Sequence, residues 1–229
     1  MNTCFTVPSL ADLNCNGPKV RRLVVRIEYD HDCGNPMTDF DGQWTLHSFS
    51  RRHYNFKEPD ELGFNYRDGE VVVKNPGLRR KMQVGLAFVL SYYEHGNSLW
   101  MLQNGSKPAG VEFQWDGTRV AGLLVWGHKP GDMGAKSYED RAKDAQGFLD
   151  EYNEWCNGNC YGYDIETEDG EHVDSCWGFI GSDATLNYMF DVISESTKDA
   201  VVKVEGDGAW LADHHKIKCK EVIEDFDDE

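Results

Sequence analysis

Apolar and polar residues fall into short alternating or clustered runs, and each run predicts an element. Residues 23–29 (LVVRIEY) are rich in β-branched and apolar side chains, and residues 44–49 (WTLHSF) alternate large apolar with polar positions, so both predict strands. A long polar loop, DHDCGNPMTDFDG, separates them. Residues 78–87 predict a short helix, and residues 88–93 and 98–102 flank the turn formers His95, Gly96 and Asn97 and predict a hairpin. Residues 120–126 predict a further strand, closed by the breaker run Lys129-Pro130-Gly131.

The strongest helix signal covers residues 137–156. Ser137 and Asp140 have the spacing of a capping box, and Tyr138, Ala142, Ala145, Leu149, Tyr152 and Cys156 recur at steps of four and three before Asn157-Gly158 stops the pattern. Residues 161–167 and 172–179 predict two strands around a two-residue Asp169-Gly170 turn. Ser182 caps a second predicted helix with Leu186, Met189, Phe190 and Ile193 on one face, and a strand over residues 200–205 follows. Hairpins mixed with a few amphipathic helices, without regular strand-helix alternation, predict an α+β fold: an antiparallel sheet with helices packed on it. No repeat or long linker interrupts the chain, so a single domain over residues 1–229 is expected.

Charge alters the picture. Against 23 Lys+Arg stand 40 Asp+Glu, a formal −17 over 229 residues. Such a charge repels nucleic-acid backbones and anionic lipid, which argues against direct nucleic-acid binding and against a membrane role. Residues 1–110 are near neutral, with 13 basic and 12 acidic side chains, whereas residues 111–229 hold 10 basic and 28 acidic. The acidic tail, residues 221–229, is expected to fray. No basic-then-apolar leader opens the chain, and the greasiest stretch, residues 84–93, is far shorter than the roughly 20 residues of a membrane helix. Seven scattered cysteines fit free thiols in a reducing cytoplasm.

Three clusters offer candidate chemistry. Asp30, Asp32, Asp39 and Asp41 could hold a divalent cation, with His47 or His53 as proton carrier in a small nuclease or phosphoesterase, although solvated Asx-type turns use the same residues. Cys156 and Cys160, with His215 and Cys219 at the same spacing, could supply four zinc ligands, but Cys156 also belongs to an apolar stripe. The segment HSFSRRHYNF, with His47, Arg51, Arg52 and His53, is the one basic and histidine-rich patch and could bind an anionic group. No Gly-x-Ser-x-Gly elbow, Walker loop, Cys-x-x-Cys or His-Glu-x-x-His occurs, and no cofactor is implied. The acidic half remains: Asp164, Glu166, Glu168 and Glu171 on the hairpin, and Asp140, Asp144, Asp150, Glu151 and Glu154 off the apolar stripe of the long helix. Rows of this kind could present regular negative charge to a basic, DNA-binding groove, or simply solvate the surface.

Three landmarks occur in order: the arginine-rich CGNPMTDFDGQWTLHSFSRRHYNF, the pair YYEHGNSLWM and FQWDGTRVAGLLV, and YGYDIETEDGEHVDSCWGFIG. Together they resemble a group of uncharacterised bacteriophage and prophage proteins, over roughly residues 33–181. Where similar proteins read Pro-Trp-Asp-Ser-Gly-Gln-Val-Gly, this chain has Gln114, Trp115, Asp116, Gly117, Thr118, Arg119 and Val120, without the serine. The resemblance implies a phage protein working in the host cytoplasm and brings no reaction with it. The expectation is an accessory protein that inhibits a restriction, CRISPR or related nucleic-acid-handling protein through its acidic half. An inhibitor anchored by Trp115, Trp126 and Trp177 is a further possibility.

Overall fold

The computed structural model describes residues 21–39, 43–67, 70–105, 116–181 and 183–215. The architecture is α+β, with two four-stranded sheets, a two-stranded sheet and four α-helices among these residues. Two compact units divide the chain. One takes the described parts of Met1–Ile27, Tyr163–Ser175 and Phe190–Glu229, and the other takes Glu28–Gly162 and Cys176–Met189.

The larger unit is built on an antiparallel sheet of β2 (Trp44–Ser48), β7 (Gly117–Trp126), β5 (Ala87–His95) and β6 (Asn97–Leu102), in that order. In β5 the residues from Ala87 to Tyr92 are all buried, because both faces are covered. Phe88, Leu90 and Tyr92 pack with Trp44, Trp100, Trp126 and the apolar stripe of α2 (Tyr138–Cys156), which includes Ala145, Leu149 and Tyr152. Ala87 and Val89 point the other way, toward Leu78 of α1 (Pro76–Gln83) and Phe64 of the hairpin β3 (Phe64–Arg67) and β4 (Glu70–Val73). This explains why the sequence around β5 reads as a continuous greasy run rather than an alternating one. Helix α1 starts earlier and stops earlier than its expected 78–87: Asn75 caps Gly77 and Leu78, Pro76 opens the first turn, and Gly85 at φ +75° breaks it.

The smaller unit contains most of a second sheet, ordered β10 (Ala200–Glu205), β1 (Arg21–Tyr29), β8 (Cys160–Thr167) and β9 (His172–Ile180). Strands β1 and β10 run parallel, from Arg21 opposite Ala200 to Arg26 opposite Glu205. Leu23, Val25 and Ile27 of β1, Tyr163 and Ile165 of β8, and Val202 of β10 are fully or almost fully buried, so alternate residues face outward. In α3 (Asp183–Ser196) the expected apolar face is buried at Leu186, Met189, Phe190 and Ile193. Ser182, its expected cap, lies outside the described residues. A short α4 (Trp210–His215) follows Gly208, whose amide donates to Ile27 O at 2.9 Å.

The hairpin turn differs from its two-residue expectation. Thr167 N donates to Glu171 O, Gly170 N donates to Thr167 O (both 2.9 Å), and Gly170 has φ +82°. This is a three-residue loop, Glu168-Asp169-Gly170, of the kind in which a type I turn is followed by a left-handed glycine. Glu171 therefore stands opposite Thr167 rather than Glu168. Cross-strand partners share a face, so Glu171 leaves the row formed by Asp164 and Glu166.

Candidate functional site

Helix α2 is positioned by its start and its stripe. Ser137 Oγ accepts from Asp140 N at 3.0 Å and donates to Asp140 Oδ2 at 2.8 Å, so the side-chain bond runs hydroxyl to carboxylate rather than back to the cap amide. With Ala145, Leu149 and Tyr152 buried against the sheet, Asp140, Asp144, Gly147, Glu151 and Glu154 fall on a second stripe at steps of four and three. A rise of about 1.5 Å per residue spaces Asp140 and Asp144 by about 6 Å along the axis, and Glu151 and Glu154 by about 4.5 Å. Asp140, Asp144 and Asp150 are exposed, and Glu151 and Glu154 are half-buried.

The polar partners found on this stripe are neutral. Trp44 Nε1 donates to Asp144 Oδ2 at 2.8 Å, and Asn159 Nδ2 donates to Glu154 Oε2 at 2.7 Å. Beside the stripe, Gln146 Nε2 donates to Asp150 Oδ1 at 2.8 Å. Burial raises the Glu151 carboxyl above the usual glutamate value. Asp144, Gly147 and Glu151 border a cavity of about 350 Å³ together with Trp44, Phe148 and Pro36.

The hairpin carboxylates have a different setting. Glu166 Oε2 meets Arg26 at 2.5 Å, Arg26 Nε lies 3.6 Å from Glu205, and Lys203 Nζ lies 3.0 Å from Glu205. Glu168 reaches Arg22 at 3.5 Å. Arg26 is held above its ordinary pKa, chiefly by its hydrogen bond to Glu166. Asp164 Oδ1 is buried without a hydrogen-bond partner and faces His172 Nε2 across 3.8 Å. Glu171 lies exposed. Two expected rows thus separate chemically: Glu166 and Glu168 of the hairpin meet arginines, whereas Asp140, Asp144, Asp150 and Glu154 of the helix meet neutral donors.

Among the described residues, the remaining candidate clusters do not assemble. Asp30 Oδ1 accepts from Asp32 N at 3.0 Å, and Asp39 accepts from Asn35 N and Thr38 Oγ1 at 2.7 and 3.1 Å, so these carboxylates close local turns. Asp41 lies outside the described residues, as do Cys219 and the side chain of His215. Among the described residues no group of three His, Cys, Asp or Glu side chains is arranged to hold a metal. Cys156 packs half-buried against the α2 core, its thiol pushed up to about 11 by burial, while Cys160 is buried beside the Cys33 thiol. Ser175, His172 and Asp164 come together, yet Ser175 Oγ (3.2 Å) and Asp164 Oδ1 (3.8 Å) approach the same nitrogen, Nε2. A nucleophile relay needs the base oriented through its other ring nitrogen, so this trio lacks that geometry.

No family model, curated protein or solved structure matches this chain. Function must then be read from its own side chains. Among the described residues, no helix is long and apolar enough to cross a membrane. Of the tryptophans expected as anchors, Trp126 is buried, Trp177 is 48% exposed, and Trp115 lies outside the described residues. Sequence reasoning flagged His47, Arg51, Arg52 and His53 but missed Ser48 as the partner of His53. It also missed Tyr92 and Thr118, which β5 and β7 bring to a second cavity, lined by Arg52 and His53 as well.

Proposed function

We propose that this is a bacteriophage accessory protein that binds and inhibits a host or antiphage-defence protein. Its carboxylates occupy a basic groove built for nucleic-acid phosphates, in the cytoplasm of the infected cell. The observation that carries the reading is the α2 stripe, where Asp140, Asp144, Glu151 and Glu154 recur on one face, with neutral partners at Asp140, Asp144 and Glu154. A neutral donor satisfies an oxygen but leaves the charge in place, available to steer a cationic surface. Internal pairing with Arg22 and Arg26 makes Glu168 and Glu166 the weaker half of the surface.

The test is capture of a partner from defence-bearing or phage-infected bacteria, eluted with a salt gradient and with duplex DNA as competitor. Salt-sensitive release, displacement by duplex, and loss of capture in D140N/D144N/E151Q/E154Q are expected. Retention indifferent to salt, to duplex and to the substitutions would defeat the proposal. That outcome would favour a second reading, a contact anchored on Trp177 (48% exposed) and Tyr188 (64% exposed).

A further inference from the structure

A cavity of about 320 Å³ opens where the chain leaves β2, against β5 and β7. That is the low end of the range for small-molecule sites. Its apolar wall is Phe49, Tyr92 and Val120, and its polar rim is Ser50, Arg52, His53 and Thr118. A mostly apolar concavity with a few converging donors is the usual plan of a ligand site. The acidic face of α2 contributes no residue to it.

The donors are organised by Ser48. This residue is fully buried, its Oγ accepts from Ser50 N at 3.0 Å, and it lies 2.7 Å from His53 Nδ1. A buried hydroxyl must place its proton on an acceptor, and Nδ1 is within reach. The neutral imidazole then carries its own proton on Nε2, on the ring edge away from Ser48. Rings of Tyr92 and Trp100, with centroids 4.9 and 5.5 Å away and nearly perpendicular, fix the imidazole plane. Burial, reinforced by Arg52, holds His53 below its ordinary pKa, so the ring is a neutral donor at pH 7. Arg52 itself is tied only loosely, with one nitrogen 3.4 Å from Glu94 Oε2 and its side chain 78% exposed. A guanidinium has five donors, so most of the fork stays open to an anion.

We propose that this cavity binds a small organic phosphate monoester. Arg52, His53 Nε2–H and the Ser50 and Thr118 hydroxyls hold the phosphoryl oxygens, and the organic part lies on Phe49, Tyr92 and Val120. The net charge of −17 does not forbid this, since charges beyond about 8 Å are largely screened at physiological ionic strength. Glu94 is the internal competitor: it occupies Arg52 while the site is empty of ligand, and the ester displaces it.

Titration of the full chain with phenyl phosphate and with inorganic phosphate, at constant ionic strength and followed by NMR of the His53 and Arg52 side chains, tests this. Saturable binding is expected, tighter for phenyl phosphate than for phosphate. R52Q should weaken it by about tenfold or more, as expected for loss of a charge-assisted contact. E94Q should tighten it, while E139Q, an equal charge change at the exposed start of α2, should not. Non-saturating shifts, or equal affinity in wild type and R52Q, would overturn the site. Equal affinity for the two probes would overturn its assignment to an ester.

Discussion

His47 and His53 sit half-buried beside one another's strand and turn, and both are held below the ordinary histidine value of 6.5. Burial is the main cause for each; Lys57 adds to it at His47, and Arg52 adds to it at His53 against a smaller pull from Glu94. In the unfolded chain both titrate near 6.5. As pH falls through that value the unfolded state takes up protons that the native state still refuses, so stability present above 6.5 is lost in the window down to the lowered native values. Each such proton steepens the dependence by at most about 1.4 kcal/mol per pH unit. Chemical denaturation between about pH 7.5 and pH 5.5 should therefore show wild type losing stability, with a shallower slope in H47Q/H53N. Parallel slopes would show that these histidines are not the source.

At the scale of elements, an open sheet edge is closed by a helix. Among the described residues β6 is an edge strand, and the backbone groups of Ser98 and Trp100 face no further strand there. Asn153 Oδ1 accepts from Trp100 N at 2.7 Å and its Nδ2 donates to Trp100 O at 2.9 Å. One turn on, Asn157 repeats the pattern on Ser98 at 2.7 and 3.0 Å. The two amides, one in α2 and one at its C-terminal cap, thus act as a borrowed strand. N153L should strand a buried donor and acceptor and cost about 2–4 kcal/mol in urea unfolding, and N157L, at a more exposed position, clearly less. Equal or negligible losses would contradict this account. The pairing also shows where sequence stops being legible. Periodicity reveals the α2 stripe, its Asn157-Gly158 end and the Gly96 hairpin, because each signal is local. Asn153 breaks no period and answers to main-chain groups of another element, which carry no residue signature. The same holds for the parallel pairing of β1 with the distant β10, and for Thr118 and Tyr92 sharing a cavity with His53. α4 is too short, at six residues, to show a period.

For the whole molecule, net charge sets stability against function. The carboxylates toward the end of α2 stand where the helix dipole is negative, and its last turn holds no basic residue to offset it. Glu151 also bears a burial cost, which its raised pKa expresses: the native state favours the neutral acid, so at pH 7 the charged form works against folding. Asp140 is the reverse case, since it lies in the first turn where the dipole favours it. Amide replacements separate these effects, because an amide oxygen can still accept the bonds from Asn159 or Ser137. E151Q/E154Q should gain about 0.5–2 kcal/mol at low salt, from relief of dipole and like-charge repulsion, and the gain should shrink as salt is added. D140N should be neutral or slightly destabilised. These shifts are readable in denaturant midpoints at two salt concentrations. A gain at Glu151 and Glu154 means that folding does not account for their charge, which leaves binding or solvation of the surface as the reason to keep it. A loss would make them structural, and the α2 stripe would then give no support to a phosphate-mimicking surface.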